Sequence, residues 1–246
     1  MKVFAISDLH ISTNTNKPMD VFGGNWINYL ETIKNDWQNK VSDEDIVLIS
    51  GDISWAMTLD EAKPDFDVIK DLPGKKIIIR GNHDFWWSAI SKVRDFLPEN
   101  FIALQNDAVK IGNLVICGSR AWSVPGSPDF KEQDKKIYLR EVERLKLSLS
   151  QGKKLLAEGD KLLVMVHYPP FNVKRENNLI LDLFKEFEVD VVVYGHLHGK
   201  TVRADKFLQL DGIDYYLTSC DLVNNKLVEI NLKWRKLKRM VNLLTT

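Results

Sequence analysis

Short, continuously apolar runs recur along the chain, separated by longer stretches in which apolar residues fall three and four apart. The runs Lys2 to Ser7, Asp45 to Ser50, Lys75 to Arg80, Asn113 to Gly118, Leu162 to Val166 and Val189 to Tyr194 are rich in β-branched residues and predict buried strands. The stretches Trp26 to Lys40, Leu59 to Leu72, Trp86 to Phe96, Lys131 to Ser150 and Asn178 to Phe187 predict helices that cover a sheet. Asp60 and Glu61 in the first turn of the second helix, and Pro73-Gly74 beyond its end, are its start and stop signals. From Thr201 onward the segments shorten to Thr201–Ala204, Asp214–Ser219 and Lys226–Leu232, β-like and joined by Gly, Asp and Asn. A βαβα front half followed by strands and turns predicts an α/β fold with two packed sheets flanked by helices. No linker, repeat or low-complexity stretch divides residues 1 to 246, so a single domain is expected.

Composition narrows the class. The chain has 246 residues, 44% of them hydrophobic, which is ordinary for a globular protein and too high for a disordered one. Its 34 basic and 34 acidic side chains give zero net charge, which argues against nonspecific binding to nucleic acid or a membrane surface. Two cysteines, Cys117 and Cys220, make no disulfide framework and no CxxC pair, and read as buried thiols of a reducing compartment. In MKVFAISDLHIS, Asp8 and His10 interrupt the apolar run where a signal peptide has its hydrophobic centre. Other apolar runs are too short to cross a bilayer. A cytoplasmic location is expected; no feature of the chain speaks to oligomeric state.

The five histidines change the picture further. His10, His83, His167, His196 and His198 each lie within a few residues of the end of a predicted strand, and ligands of open α/β sheets bind at the carboxyl ends of strands. Asp8 and His10, like His196 and His198, are two residues apart, so extended backbone would project each pair from one face. Gly51-Asp52 ends the second predicted strand and Gly81-Asn82-His83-Asp84 follows the third, with glycines that allow tight turns and positive φ. Asp8, His10, Asp52, Asn82, His167, His196 and His198 combine imidazole with hard oxygen and no thiolate, a donor set suited to Mn, Fe, Zn, Co or Ni. Seven ligands exceed the complement of one catalytic ion and fit two ions sharing a carboxylate. A lone DxH or GNH is a weak signal; the joint pattern is not.

Asp8-Leu9-His10, Gly51-Asp52, Gly81-Asn82-His83-Asp84, His167 and Gly195-His196-Leu197-His198 together resemble the calcineurin-like metallophosphoesterase family, over residues 8 to 198. The resemblance implies a four-layer α/β/β/α sandwich, a centre of two divalent metal ions (Mn, Fe or Zn, with Mn favoured) and hydrolysis of a small phosphate ester. It also implies roles. Asp8, His10, Asp52 and His198 would hold one ion; Asp52 would bridge to another held by Asn82, His167 and His196; and His83 would stay off the metals and protonate the leaving group or stabilise the transition state. Several members continue the second motif as GDxxDR, with an Asp that orients the catalytic histidine and an Arg that contacts phosphate. Trp55 and Ala56 stand there instead, which argues against the protein-serine/threonine-phosphatase branch and leaves Asp84 as the candidate to support His83.

Aromatics crowd these motifs: Trp55, Phe85, Trp86, Trp87, Trp122, Tyr168 and Phe171. Most are expected to pack beneath the loops, with one or two, Trp55 among them, at an apolar rim that receives substrate. Arg120 follows a predicted strand and would either bind phosphate oxygens bidentately or form a surface salt bridge. Lys131 to Lys154 reads as an amphipathic helix with a solvated face, the alternative being a lid. Lys233 to Arg239, five basic residues in seven, reads as a solvated terminal element rather than a nucleic-acid contact. The leading function is a metal-dependent phosphohydrolase with a slight lean to phosphodiesters, because monoesters present more charge and the second-motif Arg is missing. The alternatives are a nuclease of the same fold, which would need a basic groove, and a metal-binding scaffold, which would have lost ligands this chain keeps. The HxHxDH run of metallo-β-lactamase-type hydrolases is absent.

Overall fold

Strand residues alternate between two hydrophobic clusters, and that alternation builds the layers. In β1 (Val3–Ile6), Val3 and Ala5 join a core between two sheets, while Phe4 and Ile6 face a core shared with helices. In β6 (Leu114–Ser119), Leu114 and Ile116 enter the same inter-sheet core and Val115 and Cys117 face the helices on the other side. Because both faces are covered, the strands are apolar at nearly every position, the property that makes them readable in the sequence. The computed structural model describes residues 1–199 and 201–232.

The first sheet contains β1, β2 (Ile46–Ile49), β3 (Lys75–Ile78), β4 (Phe101–Ala103) and the short β11 (Val228–Glu229). Its order is β11-β1-β2-β3-β4, parallel except for β11. The second contains β5 (Ala108–Ile111), β6, β7 (Lys161–Val166), β8 (Val191–Tyr194), β9 (Phe207–Leu210) and β10 (Ile213–Leu217). Its order is β5-β6-β7-β8-β10-β9, with β5 and β9 antiparallel at the edges. Helices α1 (Tyr29–Lys40), α2 (Leu59–Asp67) and α3 (Ile90–Phe96) cover the first sheet, and α4 (Asp134–Leu155) and α5 (Leu179–Glu186) cover the second. This is the expected sandwich of two mixed sheets flanked by helices.

Several expected boundaries move, each for a local reason. The segment expected to be helical from Trp26 starts at Tyr29, because a 3-10 turn over Gly24–Trp26 and extended Ile27 precede it. The second helix ends at Asp67 rather than Leu72 and is capped by Thr58, whose side chain accepts from Glu61 N. The third begins at Ile90, not Trp86, since the backbone at Ala89, with φ −59° and ψ 136°, is not helical. Thr201–Ala204 is not a strand; the edge of the second sheet is taken by β9 instead. Strands β4 and β5 were not expected. The 131–154 segment is a covering helix, not a lid: Tyr138, Val142, Leu145 and Leu149 of α4 are buried against the second sheet. Cys117 and Cys220 are free and buried, as expected. The basic run Lys233 to Arg239 lies outside the described residues.

Candidate metal centre

The carboxyl ends of β1, β2, β3, β7 and β8 lead into the segments that carry the ligand candidates. Asp8 and His10 do converge, but not through the extended alternation expected. Both have left-handed backbone, with φ of 59° and 47°, as do Asp52 at 53° and His196 at 71°. The β1 loop is clamped to its neighbour: Asp8 N donates to Gly51 O at 3.0 Å, and His10 N to Asp52 O at 3.0 Å.

Glycines serve mainly by omission. A Cβ on Gly81, whose φ is not positive, would stand 2.7 Å from Asp52 Cγ and nearer still to its Oδ1. A Cβ on Gly195 would stand 2.5 Å from Asp8 Oδ2. Both ligand carboxylates are therefore seated directly against backbone.

One ligand atom from each of Asp8, His10, Asp52 and His198 lies within 4.8 Å of the others. His10 Nε2 is 3.7 Å from Asp52 Oδ2, and His198 Nε2 is 3.7 Å from Asp8 Oδ1. A second convergence adjoins the first. Asn82 Oδ1 is 2.7 Å from His167 Nε2 and 2.9 Å from His196 Nδ1, and His167 Nε2 is 3.4 Å from Asp52 Oδ2. Asp52 belongs to both groups. Its Oδ1 accepts from His83 N at 2.7 Å, whereas its buried Oδ2 has no hydrogen-bond partner among the described residues. A buried carboxylate oxygen left without a donor and facing imidazole nitrogens from two directions is what a cation would satisfy.

Protonation preferences divide the cluster: His10, His196 and Asp52 favour the coordinating form, whereas Asp8 and His167 are held toward the protonated one. Burial pushes His10 and His196 down to about 3, so both imidazoles are neutral, the form that coordinates. Burial raises Asp8, with Asp52 adding to the rise. Burial also works against ionised Asp52, but His167 and His10 hold its pKa below the ordinary carboxylate value. His167 resists its own burial through Asp52 and Asp8, which raise it to about 9.

His83 stands beside the cluster. Its ring centre is 5.5 Å from that of His10 and 4.5 Å from that of Trp55, and burial lowers its pKa. Asp84 does not hold that imidazole. Its Oδ2 accepts from Asp52 N and Gly81 N, and its Oδ1 from Ile53 N, Ser54 N and Trp86 Nε1, all within 3.2 Å. Burial and Asp52 raise its pKa to about 6. It is a buried brace tying the β2 loop to the Gly81–His83 loop.

Among the aromatics, Trp55 and Phe85 stand nearest His83, and Phe85 is exposed. Trp86, Trp87 and Tyr168 are buried, while Trp122 packs on Tyr168. Trp55 stacks on His10 with ring centres 4.7 Å apart, and Lys17 Nζ lies 4.5 Å from its ring centre. Arg120 pairs with buried Glu141 at 3.3 Å and lies 4.7 Å from the Trp122 ring centre, so the salt bridge is present. Sequence reasoning missed Ser7, whose Oγ donates to Asp8 Oδ2 at 2.6 Å, and Asp221, whose Oδ2 accepts from Gly199 N at 2.9 Å. Asp221 lies four residues beyond the end of β10, and that strand-end position was its available signal.

An α/β/β/α sandwich with imidazole and carboxylate side chains gathered at the strand ends is an architecture suited to metal-dependent hydrolysis. The family model for calcineurin-like phosphoesterases matches residues 1–200, and the chain belongs to that family. The chain is similar to protein TT1561 of Thermus thermophilus, at 11% identity and TM-score 0.53, covering 94% of this chain and 98% of that one. It is also similar to AQ665, a protein of unknown function from Aquifex aeolicus (14% identity, TM-score 0.48, 93% and 95% covered). A third similar structure is an archaeal phosphodiesterase (15% identity, TM-score 0.41, 94% and 99% covered). The likeness to TT1561 concerns the fold alone. No curated protein matches the chain. Among the described residues, no helix is long and apolar enough to cross a membrane.

Proposed function

We propose that the chain hydrolyses a small phosphate ester at a centre of two divalent ions, manganese first among the candidates. The observation that carries this is Asp52, whose Oδ2 lies 3.7 Å from His10 Nε2 and 3.4 Å from His167 Nε2 and so faces both ligand groups. Asp8, His10, Asp52 and His198 hold one ion, and Asp52, Asn82, His167 and His196 the other. Bound there, the ions supply positive charge for the phosphoryl oxygens and an activated water for in-line attack. His83, which stands beside the cluster without belonging to either ligand group, protonates the departing oxygen. Asp84 keeps the two loops in register through backbone donors. Trp55 fixes His10 and His83 from the side. Arg120 is a candidate phosphate contact because Glu141, its partner, is shared with Arg140 and Arg144, so the cluster retains excess positive charge.

The lean to diesters rests on Trp55 and Ala56 in place of the second-motif Asp and Arg. We read residues 1–246 as one metallophosphoesterase domain, supported by the continuous core between the sheets. The free buried thiols support a reducing, cytoplasmic setting.

The test is manganese-dependent hydrolysis of bis(p-nitrophenyl) phosphate beside p-nitrophenyl phosphate, with chelator and His83→Ala controls. Diester cleavage abolished by both controls is the expected result. Protein holding two metal ions that cleaves neither ester would overturn the reading in favour of a non-catalytic scaffold.

A further inference from the structure

The carboxylate of Asp8 is held from the second sheet as well as from its own strand. Ser7, the residue after β1, is fully buried, and its Oγ donates to Asp8 Oδ2 at 2.6 Å. Thr218, the residue after β10, is fully buried too. Its hydroxyl lies 3.1 Å from Ser7 Oγ and 2.9 Å from the carbonyl oxygen of Tyr194, the last residue of β8. Ser7 gives its single hydroxyl hydrogen to Asp8, so toward Thr218 it can only accept. Hydrogen bonds therefore run from the carboxyl ends of β8 and β10 to a ligand candidate beyond β1. The backbone closes the same junction: Ser7 N donates to Thr218 O at 2.9 Å, and Cys220 N to Ser7 O at 3.1 Å.

This arrangement treats the two oxygens of the carboxylate differently. Oδ2 accepts from Ser7 Oγ and from His196 N at 3.0 Å, which occupies both of its lone pairs. Oδ1 shares the His196 N–H at 3.1 Å and otherwise faces His198 Nε2 at 3.7 Å, inside the first ligand group. Gly195 leaves the necessary room, since a Cβ there would run into Ser7 Oγ as well as Asp8 Oδ2. The terminal torsion of an aspartate is broad and nearly two-fold, so by itself it does not choose which oxygen is presented. The buried hydroxyl makes that choice. Among the described residues, neither hydroxyl bonds to Asn82, Asp52 or His167.

We infer that Ser7 and Thr218 are positioning residues for Asp8, presenting its Oδ1 rather than its Oδ2 to the ion held with His10, Asp52 and His198. The inference rests on the two-ion reading above. It ties one of the two ion sites to the junction between the sheets, because Ser7 follows a strand of the first sheet and Thr218 a strand of the second. Partners that orient a ligand from behind carry much of a site's affinity for metal.

The test is manganese binding by the folded protein. Equilibrium dialysis with elemental analysis gives the number and affinity of bound ions, and electron paramagnetic resonance reads the spin-coupled signal of an ion pair. Wild type is expected to bind two ions and to show that signal. Thr218→Val and Ser7→Ala each remove one hydroxyl, and each should weaken one ion about 10- to 100-fold while leaving the other within about twofold. The coupled signal should fade with the weakened ion. Thr218→Ser keeps the hydroxyl and should stay near wild type. Should Ser7→Ala fail to fold, the Thr218 pair carries the test alone. Equal weakening of both ions, no weakening of either, or a Thr218→Ser variant as impaired as Thr218→Val would overturn the inference, since a purely structural role gives those results. Failure of the two-ion reading is distinguishable: wild type itself then binds fewer than two ions, and the inference falls with it.

Discussion

Replacing Asp84 by Asn changes no volume and yet should disturb the whole centre. The carboxylate takes two backbone donors on Oδ2, from Asp52 and Gly81, and three donors on Oδ1, from Ile53, Ser54 and the Trp86 indole. An amide can present its NH2 to either side, so at least two buried N–H groups then face a donor. At about 1–3 kcal/mol for each buried group left unsatisfied, the substitution should cost about 2–6 kcal/mol. That is a large part of the roughly 5–15 kcal/mol that holds a typical domain folded. Part of the cost can be relieved by parting the two loops, which moves Asp52 away from Asn82. Metal affinity should then fall with stability, and a shift of about 1.4 kcal/mol in the ligand loops is tenfold in affinity. Urea unfolding of the metal-free protein and manganese titration of the folded variant measure the two effects. A variant within about 0.5 kcal/mol of wild type, with unchanged manganese affinity, would refute the brace.

Three further outcomes are expected. His83→Ala should leave metal content by elemental analysis intact while lowering kcat by about 10²- to 10⁴-fold; loss of both metals would instead make His83 a ligand. Asp52→Asn should weaken binding of both ions together in a metal titration, and full occupancy with normal activity would remove the shared carboxylate. Lys76 is buried between the Trp37 and Phe101 rings, with Nζ donating to the carbonyls of Lys70 and Leu72, and burial lowers its pKa from 10.5 to about 8. Between those values the unfolded chain binds more proton than the folded one, so stability should rise with pH by up to about 3 kcal/mol. Urea unfolding of wild type and Lys76→Met at pH 7.5 and 10 tests this; a gap between the two that does not change with pH would refute it.

The parts of the structure legible in the sequence are those whose cause is local. Val3 to Ile6 and Leu162 to Val166 announce themselves because strands covered on both faces must be apolar throughout. The ligand candidates were legible because imidazole and carboxylate chemistry at strand ends leaves a pattern of residue types. Strand β4 has only three residues, and β5, as long as β1, is only partly buried and so lacks the continuous apolar run that marks the others. Asp84 was visible as an acid near His83, but its work is done on backbone N–H groups, which every residue except proline possesses. Asp221 was missed because its surroundings join residues 19–26 to residues 221–224, far apart along the chain.

The left-handed backbone at Asp8, His10, Asp52 and His196 bears on how such a chain evolves. Aspartate tolerates that conformation better than most residues, histidine less well, and each such residue carries a cost of up to about 1–3 kcal/mol that glycine would avoid. Folding and ligation therefore ask for different residues at the same four positions. A population selected only for a well-folded chain would accept glycine there readily, losing the centre while its sandwich survived. At those four positions the chemistry of the side chain and the ease of the backbone thus pull in opposite directions.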